Sequence, residues 1–174
     1  IGASNSMFCP ASKGFTNVAA TERDAFMRRQ TLRGYVHDEK AAYSGGVQGN
    51  AGLFANAGDI AKLCQTWLNG GVYGDARLFS ESTVRLFTTD KSRTSERGLG
   101  FDRAARIKSM DEIGMPSTVI GHNGFTGTCF WIDPTSQIIV VILTNRVNPT
   151  RVNPTFDKLN PRKAILKAVY EALE

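Results

Sequence analysis

The sequence predicts an α+β fold: an antiparallel sheet of three strands between about residues 117 and 144, packed by a C-terminal helix and preceded by a loop-rich helical region. Three observations carry this reading. Runs of β-branched and aromatic residues, separated by turn residues, crowd the last third of the chain. Residues 56–71 hold a helical stripe with a start and a stop signal. The final residues repeat the helical spacing behind an Asn-Pro start.

In chain order, Thr21-Glu22-Arg23-Asp24 reads as the cap of a helix running toward Arg33, Thr21 accepting the N3 amide, although Ala25, Phe26, Met27 and Leu32 hold no clean stripe. Ser44 to Gly52 is a loop by composition. Asn56 then caps a helix with Asp59 at N3 and Ile60, Leu63, Cys64, Trp67 and Leu68 on one face; Asn69-Gly70-Gly71 supplies the left-handed stop. A shorter helix runs from its cap Ser80 to Phe87, and Asp90 to Gly98 is a polar loop.

Thr118 to His122 reads as a strand, Thr128 to Ile132 as a second, and Asp133 to Ser136 as the turn into a third, fully buried strand from Gln137 to Thr144. The tandem pentapeptides Arg146–Thr150 and Arg151–Thr155 are loop because of their prolines. Asn160 caps the last helix, Pro161 takes N1, and Ile165, Leu166, Val169, Tyr170 and Leu173 share a face. The expected organisation is one domain over 1–174, with a helical and loop region at 1–110 and the sheet with its helix at 111–174.

With 174 residues, 41% hydrophobic and 21% charged, the chain can build one ordinary core. Its longest apolar run, Ile138 to Leu143, falls far short of the ~20 residues that span a bilayer. No basic segment leads into an apolar one at the N-terminus, so no signal peptide is visible, and the first residue, Ile1, points to a start inside a longer protein. The net charge of +5 is scattered; Arg28, Arg29 and Arg33 are its densest group and no aromatic stripe accompanies them, which reads as a solvated basic face and argues against a nucleic-acid partner. Cys9, Cys64 and Cys129 are odd in number, widely spaced and free of C-x-x-C, which argues against a disulfide framework. His37-Asp38-Glu39 lacks a third ligand in a chain with two histidines, and Gly45 to Gly52 matches neither phosphate-loop pattern, so no metal or organic cofactor is expected.

Gly121-His122-Asn123-Gly124-Phe125-Thr126-Gly127, followed by Trp131-Ile132-Asp133-Pro134 and Val141 to Arg146, resembles the penicillin-recognising serine hydrolases: class C-like β-lactamases, penicillin-binding D,D-peptidases and related esterases. In them a K-T-G or H-x-G triplet lies on the strand bordering the catalytic serine. Gly49 to Phe54, Asp59 to Lys62 and Leu68 to Gly71 fit the same pattern in the same order, so the likeness runs over nearly the whole chain and implies the C-terminal half of that fold.

The resemblance also implies roles. His122 stands where Lys is usual and would donate to a substrate carboxylate or tune the general base, with Asn123 adding its amide to that network. Gly124 would let substrate lie against the strand, and the Phe125 backbone N–H would be the oxyanion donor. Asn148 to Arg151 resembles a stretch that binds the substrate carboxylate; Arg151 is its natural partner, and Asn153 competes with Asn148 because of the repeat. His37 would line the pocket.

No Ser in the chain has Lys three residues on (Ser82 is followed by Arg85, Ser136 by Ile139), and neither Y-x-N nor S-x-N occurs. Both motifs lie upstream in the family's order. The chain is therefore expected to be the C-terminal portion of a serine hydrolase acting on a β-lactam, a D-Ala-D-Ala-type peptide or a carboxylic ester, inactive alone and partnered by a missing N-terminal half; the alternative is a non-catalytic ligand-binding module of the same fold. The resemblance places such enzymes in the bacterial periplasm or cell envelope. Loss of upstream strands would leave a sheet edge to be covered by a homodimer or by residues 1–40 folding back.

Overall fold

The computed structural model describes residues 1–89, 92–95, 97–104 and 112–173. The first part of the chain carries β1 (Met7–Phe8), β2 (Ala20–Asp24), β3 (Gln30–Arg33), α1 (Glu39–Tyr43), β4 (Leu53–Phe54), α2 (Ala57–Leu68), β5 (Val72–Tyr73), β6 (Ala76–Arg77) and α3 (Glu81–Thr89). Then follow β7 (Asp102–Arg103), β8 (Ile120–Asn123), β9 (Thr128–Asp133), β10 (Ile138–Leu143), α4 (Pro154–Leu159) and α5 (Pro161–Glu171). The main sheet is antiparallel and four-stranded, in the order β10-β9-β8-β7, and β1-β4, β2-β3 and β5-β6 form separate two-stranded sheets.

The three expected strands of the meander are present, paired Ile142 to Cys129 and Asn123 to Cys129 across the two hairpins. Their alternating sides face two helices. Val119, Cys129, Trp131 and Ile142 pack with Leu166 and Tyr170 of α5, while Ile120 and Ile132 pack with Cys64 of α2 and Phe101. Gly121 makes this stacking feasible, because a Cβ there would sit 2.2 Å from the Phe130 carbonyl oxygen and against the Trp131 ring. Tyr170 also donates its hydroxyl to Asp133 Oδ2 at 3.1 Å, while Asp133 Oδ1 accepts the amides of Thr135 (2.8 Å) and Ser136 (3.1 Å). One buried carboxylate thus organises the β9–β10 turn and fastens the last helix to it.

Three of the expected helix caps are present. Asn56 Oδ1 accepts the Asp59 amide at 2.8 Å, Ser80 Oγ accepts that of Thr83 at 3.1 Å, and Asn160 Oδ1 that of Lys163 at 3.5 Å. Asp59, buried, also accepts from the Asn5 amide (2.8 Å) and the Ser6 hydroxyl (3.3 Å), which ties the first residues to α2.

Five expectations are corrected. The helix from Thr21 toward Arg33 is instead the β2–β3 hairpin: Thr21 Oγ1 donates across to Leu32 O at 3.3 Å, and the Asp24 carboxylate collects the amides of Phe26 (3.0 Å), Met27 (2.9 Å) and Arg28 (3.1 Å). That side-chain capture of three successive amides holds them in a turn and outcompetes helix propagation. Residues 1–110 are therefore not only helix and loop, and they contribute β7 to the main sheet. The third strand of the meander is not fully buried: as an edge strand it buries only Ile142, and Leu143 is 47% exposed. Residues 1–40 do not cover that edge, since β1 pairs with β4 and β2 with β3, and β10 has no outer partner strand among the described residues. The second pentapeptide is helical at its end, with Asn153 capping α4 through the Phe156 amide (3.0 Å) and Pro154 in the first turn. Part of the expected polar loop at 90–98, residues 90, 91 and 96, lies outside the described residues.

Candidate active-site wall

The H-x-G segment runs off the end of β8 into a tight turn. β7 pairs with β8 only at Gly121 and Ile120, so from His122 onward that edge has no partner strand among the described residues. The turn is pinned from behind: the Gly124 amide donates to Thr128 O (2.7 Å), the Arg146 amide donates to Thr126 O (2.8 Å), and Arg162 Nη1 donates to Gly124 O (3.2 Å) and Thr128 O (3.4 Å). The Phe125 amide has no hydrogen-bond partner among the described residues. Gly124 serves the turn itself, for a Cβ there would lie 2.3 Å from Thr128 Oγ1.

His122 donates from Nδ1 to the Asn123 carbonyl (2.9 Å), and its Nε2 faces Arg97 Nη1. A guanidinium only donates, so Nε2 accepts and the ring proton resides on Nδ1. Arg97 is in turn held by Asp102 at 3.3 Å. In this arrangement a positive charge stands beside His122, and Nε2 has no proton to offer a ligand.

Phe125 projects outward, 60% exposed, yet its ring is contacted by three side chains from two loops, the one before α1 and the one after β10. The His37 ring stacks on it with centroids 5.6 Å apart, and the guanidinium carbons of Arg146 and Arg151 lie 5.2 and 6.0 Å from its centroid. Phe125, His37 and Arg151, three of the residues singled out in the sequence, thus converge. Behind the ring, Arg151 Nε donates to both Glu22 oxygens (3.0 and 2.8 Å), its amide donates to Glu22 Oε1 (2.8 Å), and Nη2 donates to Glu39 Oε1 (2.6 Å). His37 Nε2 donates to Glu22 Oε2 at 2.9 Å. Glu22 and His37 are 6% and 8% exposed.

The bonds from Arg151 hold the Glu22 carboxyl down at about 2, against the opposing effect of burial, with His37 assisting; the same guanidinium lowers Glu39. Reciprocally, Glu22 and then Glu39 push Arg151 up. Arg151 is therefore an internal ion-pair hub. Asn148, although exposed, is likewise engaged by the chain itself, donating to Thr21 O at 2.7 Å. The Arg23 amide adds a bond to Pro149 O (2.9 Å), so the loop after β10 is stitched onto β2.

Beside the turn opens a shallow recess of about 350 Å³, lined by Asn123, Gly124, Phe125, Arg146, Asp157 and Arg162. Two guanidiniums and one carboxylate give it a net positive wall suited to an anion. Arg146 donates to Phe125 O (3.2 Å) and pairs with Asp157 (3.4 Å). In the sequence Arg146 stands only at the end of the Val141 to Arg146 signature, and Arg162 belongs to no motif. One signal was available: Arg162 and Lys163 occupy the first turn of α5, where the helix dipole disfavours cations, and a charge kept there against that cost invites explanation. A second cavity of about 200 Å³, apolar and lined by Trp67, Val84, Ile120 and Ile132 among others, shares none of these residues. Among the described residues no three His, Cys, Asp or Glu side chains are grouped to hold a metal, and no helix is long and apolar enough to cross a membrane.

The sequence pattern of the family described as Beta-lactamase matches residues 1–159. A protein of Escherichia coli (strain K12) named "Putative D-alanyl-D-alanine carboxypeptidase" is 43% identical over 170 residues, covering 88% of this chain and 39% of that protein. A protein of the same name from Salmonella agona (strain SL483) is 42% identical over 177 residues, covering 92% of this chain and 40% of its own. The chain thus spans 39–40% of the length of these curated relatives.

Proposed function

Because the chain belongs to the beta-lactamase family of serine hydrolases, we propose that it supplies the oxyanion-side and anion-binding wall of an acyl-serine hydrolase site. The observation that carries this is the Phe125 amide just past the end of β8, without a hydrogen-bond partner among the described residues and next to a recess bearing Arg146 and Arg162. A backbone N–H left available beside a strand end can stabilise an oxygen that gains charge as a serine adds to a carbonyl. Arg162, with Arg146 behind it, takes the free carboxylate of the substrate, and Asn123 offers its amide to the same ligand. In this reading Arg151, Asn148 and His37 hold the wall in place, and His122 orders the strand end together with Arg97.

The relatives' name points to a peptide ending in D-Ala-D-Ala as the substrate class, ahead of a β-lactam or a simple ester. The serine nucleophile and its lysine come from residues outside this sequence, and the chain alone does not turn over substrate. Nitrocefin or p-nitrophenyl acetate hydrolysis by the purified chain, abolished by a serine-acylating agent, would contradict this. The anion-binding half is tested separately, by titrating N-acetyl-D-alanine into the ¹⁵N-labelled chain. Shifts at Asn123, Gly124 and Phe125 that vanish in Arg162→Met support it; shifts confined to other residues remove it. Every recess residue belongs to this chain, so a non-catalytic carboxylate-binding module remains the second reading, and turnover after the chain is joined to the preceding segment of a relative separates the two.

A further inference from the structure

We propose that Glu22 is a positioning residue for the turn that carries the Phe125 amide, acting through His37 and Arg151. The functional meaning rests on the reading of that amide given above; the coupling itself stands on geometry. Glu22 lies on β2, with both carboxylate oxygens engaged by two of the three groups that reach the Phe125 ring, His37 and Arg151. His37 Nε2 has Glu22 as its hydrogen-bond partner, and the imidazole then stacks on Phe125 at an interplanar angle of 25°. Arg151 is oriented by its amide and Nε on the same carboxylate, and its guanidinium carbon lies 6.0 Å from the Phe125 centroid. One buried charge thereby sets the direction of two separate contacts on one exposed ring.

An aromatic side chain on a turn, 60% exposed, gains little from burial and is held in one orientation only by what touches it. Arg146 fixes the Phe125 carbonyl through Nη1 at 3.2 Å and its guanidinium carbon lies 5.2 Å from the ring centroid, but a single cation beside the ring still leaves it room to turn. The stack on His37 removes that freedom, and it exists only while Nε2 is satisfied, because a buried unpaired imidazole N–H is driven toward another partner. Glu39 cannot substitute for Glu22. It reaches Arg151 alone, through Nη2, and its side chain is 41% exposed. The two carboxylates on one arginine are therefore unequal: Glu22 governs two of the three contacts on the Phe125 ring, those of His37 and Arg151, and Glu39 only the latter.

The test is NMR on the whole chain carrying ring-labelled phenylalanine, with Phe125 assigned by Phe125→Leu. Glu22→Gln loses the ring-current shift of Phe125 and moves the Gly124, Phe125 and Thr126 amides; Glu39→Gln moves them less. Tyr170→Phe, which weakens the distant Asp133 contact, lowers stability and leaves them in place. Should Glu22→Gln fail to fold, His37→Ala loses the Phe125 shift and His37→Phe, which keeps an aromatic in the stack, restores it. Phe125 unmoved in Glu22→Gln, Phe125 moved equally by Tyr170→Phe, or no restoration by His37→Phe overturns the proposal. The N-acetyl-D-alanine titration on the unmodified chain keeps the two ideas apart. A Phe125 ring that depends on Glu22 while the turn amides ignore the ligand preserves the coupling and removes the ligand-binding reading of the turn; a ring indifferent to Glu22 does the reverse.

Discussion

Consider the chain with Arg151 replaced by Met, unfolded by urea at a series of pH values. Met fills similar volume beside Phe125 but leaves Glu22 buried with only His37 and backbone to satisfy it. The folded-state carboxyl of Glu22 sits at about 2 against an ordinary 4.5, held there first by the Arg151 side chain. At 1.36 kcal/mol per unit, this difference corresponds to about 3 kcal/mol, and about 2 kcal/mol once solvent around the 40% exposed Arg151 side chain is allowed for. Because the folded-state value is depressed, the stabilisation is fully present above 4.5 and is lost as pH falls from about 4.5 toward about 2. The unmodified chain should therefore exceed Arg151→Met by roughly 2–3 kcal/mol at pH 7, and the two curves should converge through that acid window. Glu39 titrates in the same direction and sharpens the convergence. A gap below about 0.5 kcal/mol at pH 7, or one that stays constant down to pH 2, would refute the assignment of Arg151 as an internal hub, since a solvent-facing arginine costs little to remove.

Gly124→Ala should destabilise by about 1–3 kcal/mol, with part recovered in Gly124→Ala/Thr128→Ala, because the new methyl meets Thr128 Oγ1; equal loss in single and double variants counts against that contact. Leu166→Ala, at a fully buried position of α5, should cost about 2–5 kcal/mol in urea unfolding, and a cost under about 1 kcal/mol would mean that α5 is not part of the core. Tyr170→Phe should cost about 1 kcal/mol, since Asp133 keeps its two amide donors; a loss of several kcal/mol would show that the turn fails without the hydroxyl. The outer edge of β10, with no partner strand among the described residues and Leu143 exposed, predicts association of the isolated chain that Leu143→Lys reduces in sedimentation velocity; a monomer at every concentration removes the homodimer as its cover.

What could be read from the sequence follows how local the determining contacts are. α2 was legible because Asn56, Asp59 and the apolar stripe lie within its own turns, and the meander because its strands are separated only by short turns. The hairpin at 20–33 was misread although Asp24 acts locally, because Thr21 reads equally well as a helix cap until Leu32 is seen opposite it. The six apolar residues of β10 looked like a buried strand; composition reports what the strand could cover, and only topology reveals that it lies at an edge. At the site, the H-x-G motif located the turn, but the partners of Arg151 are Glu22 and Glu39, 129 and 112 residues away, beyond the reach of any spacing argument. Hence an arginine that the family resemblance assigned to a ligand carboxylate is bound to two of the protein's own. Arg162, which faces the recess, was hidden because it looked like an ordinary cation on a helix.

The most direct measurement is the N-acetyl-D-alanine titration of the ¹⁵N-labelled chain, run in parallel on Arg162→Met and Arg151→Met. The account predicts saturable shifts at Asn123, Gly124 and Phe125, abolished in Arg162→Met and weakened but present in Arg151→Met. Binding that survives loss of Arg162 and disappears with Arg151 would contradict it, and would return the carboxylate to the position first inferred from the sequence.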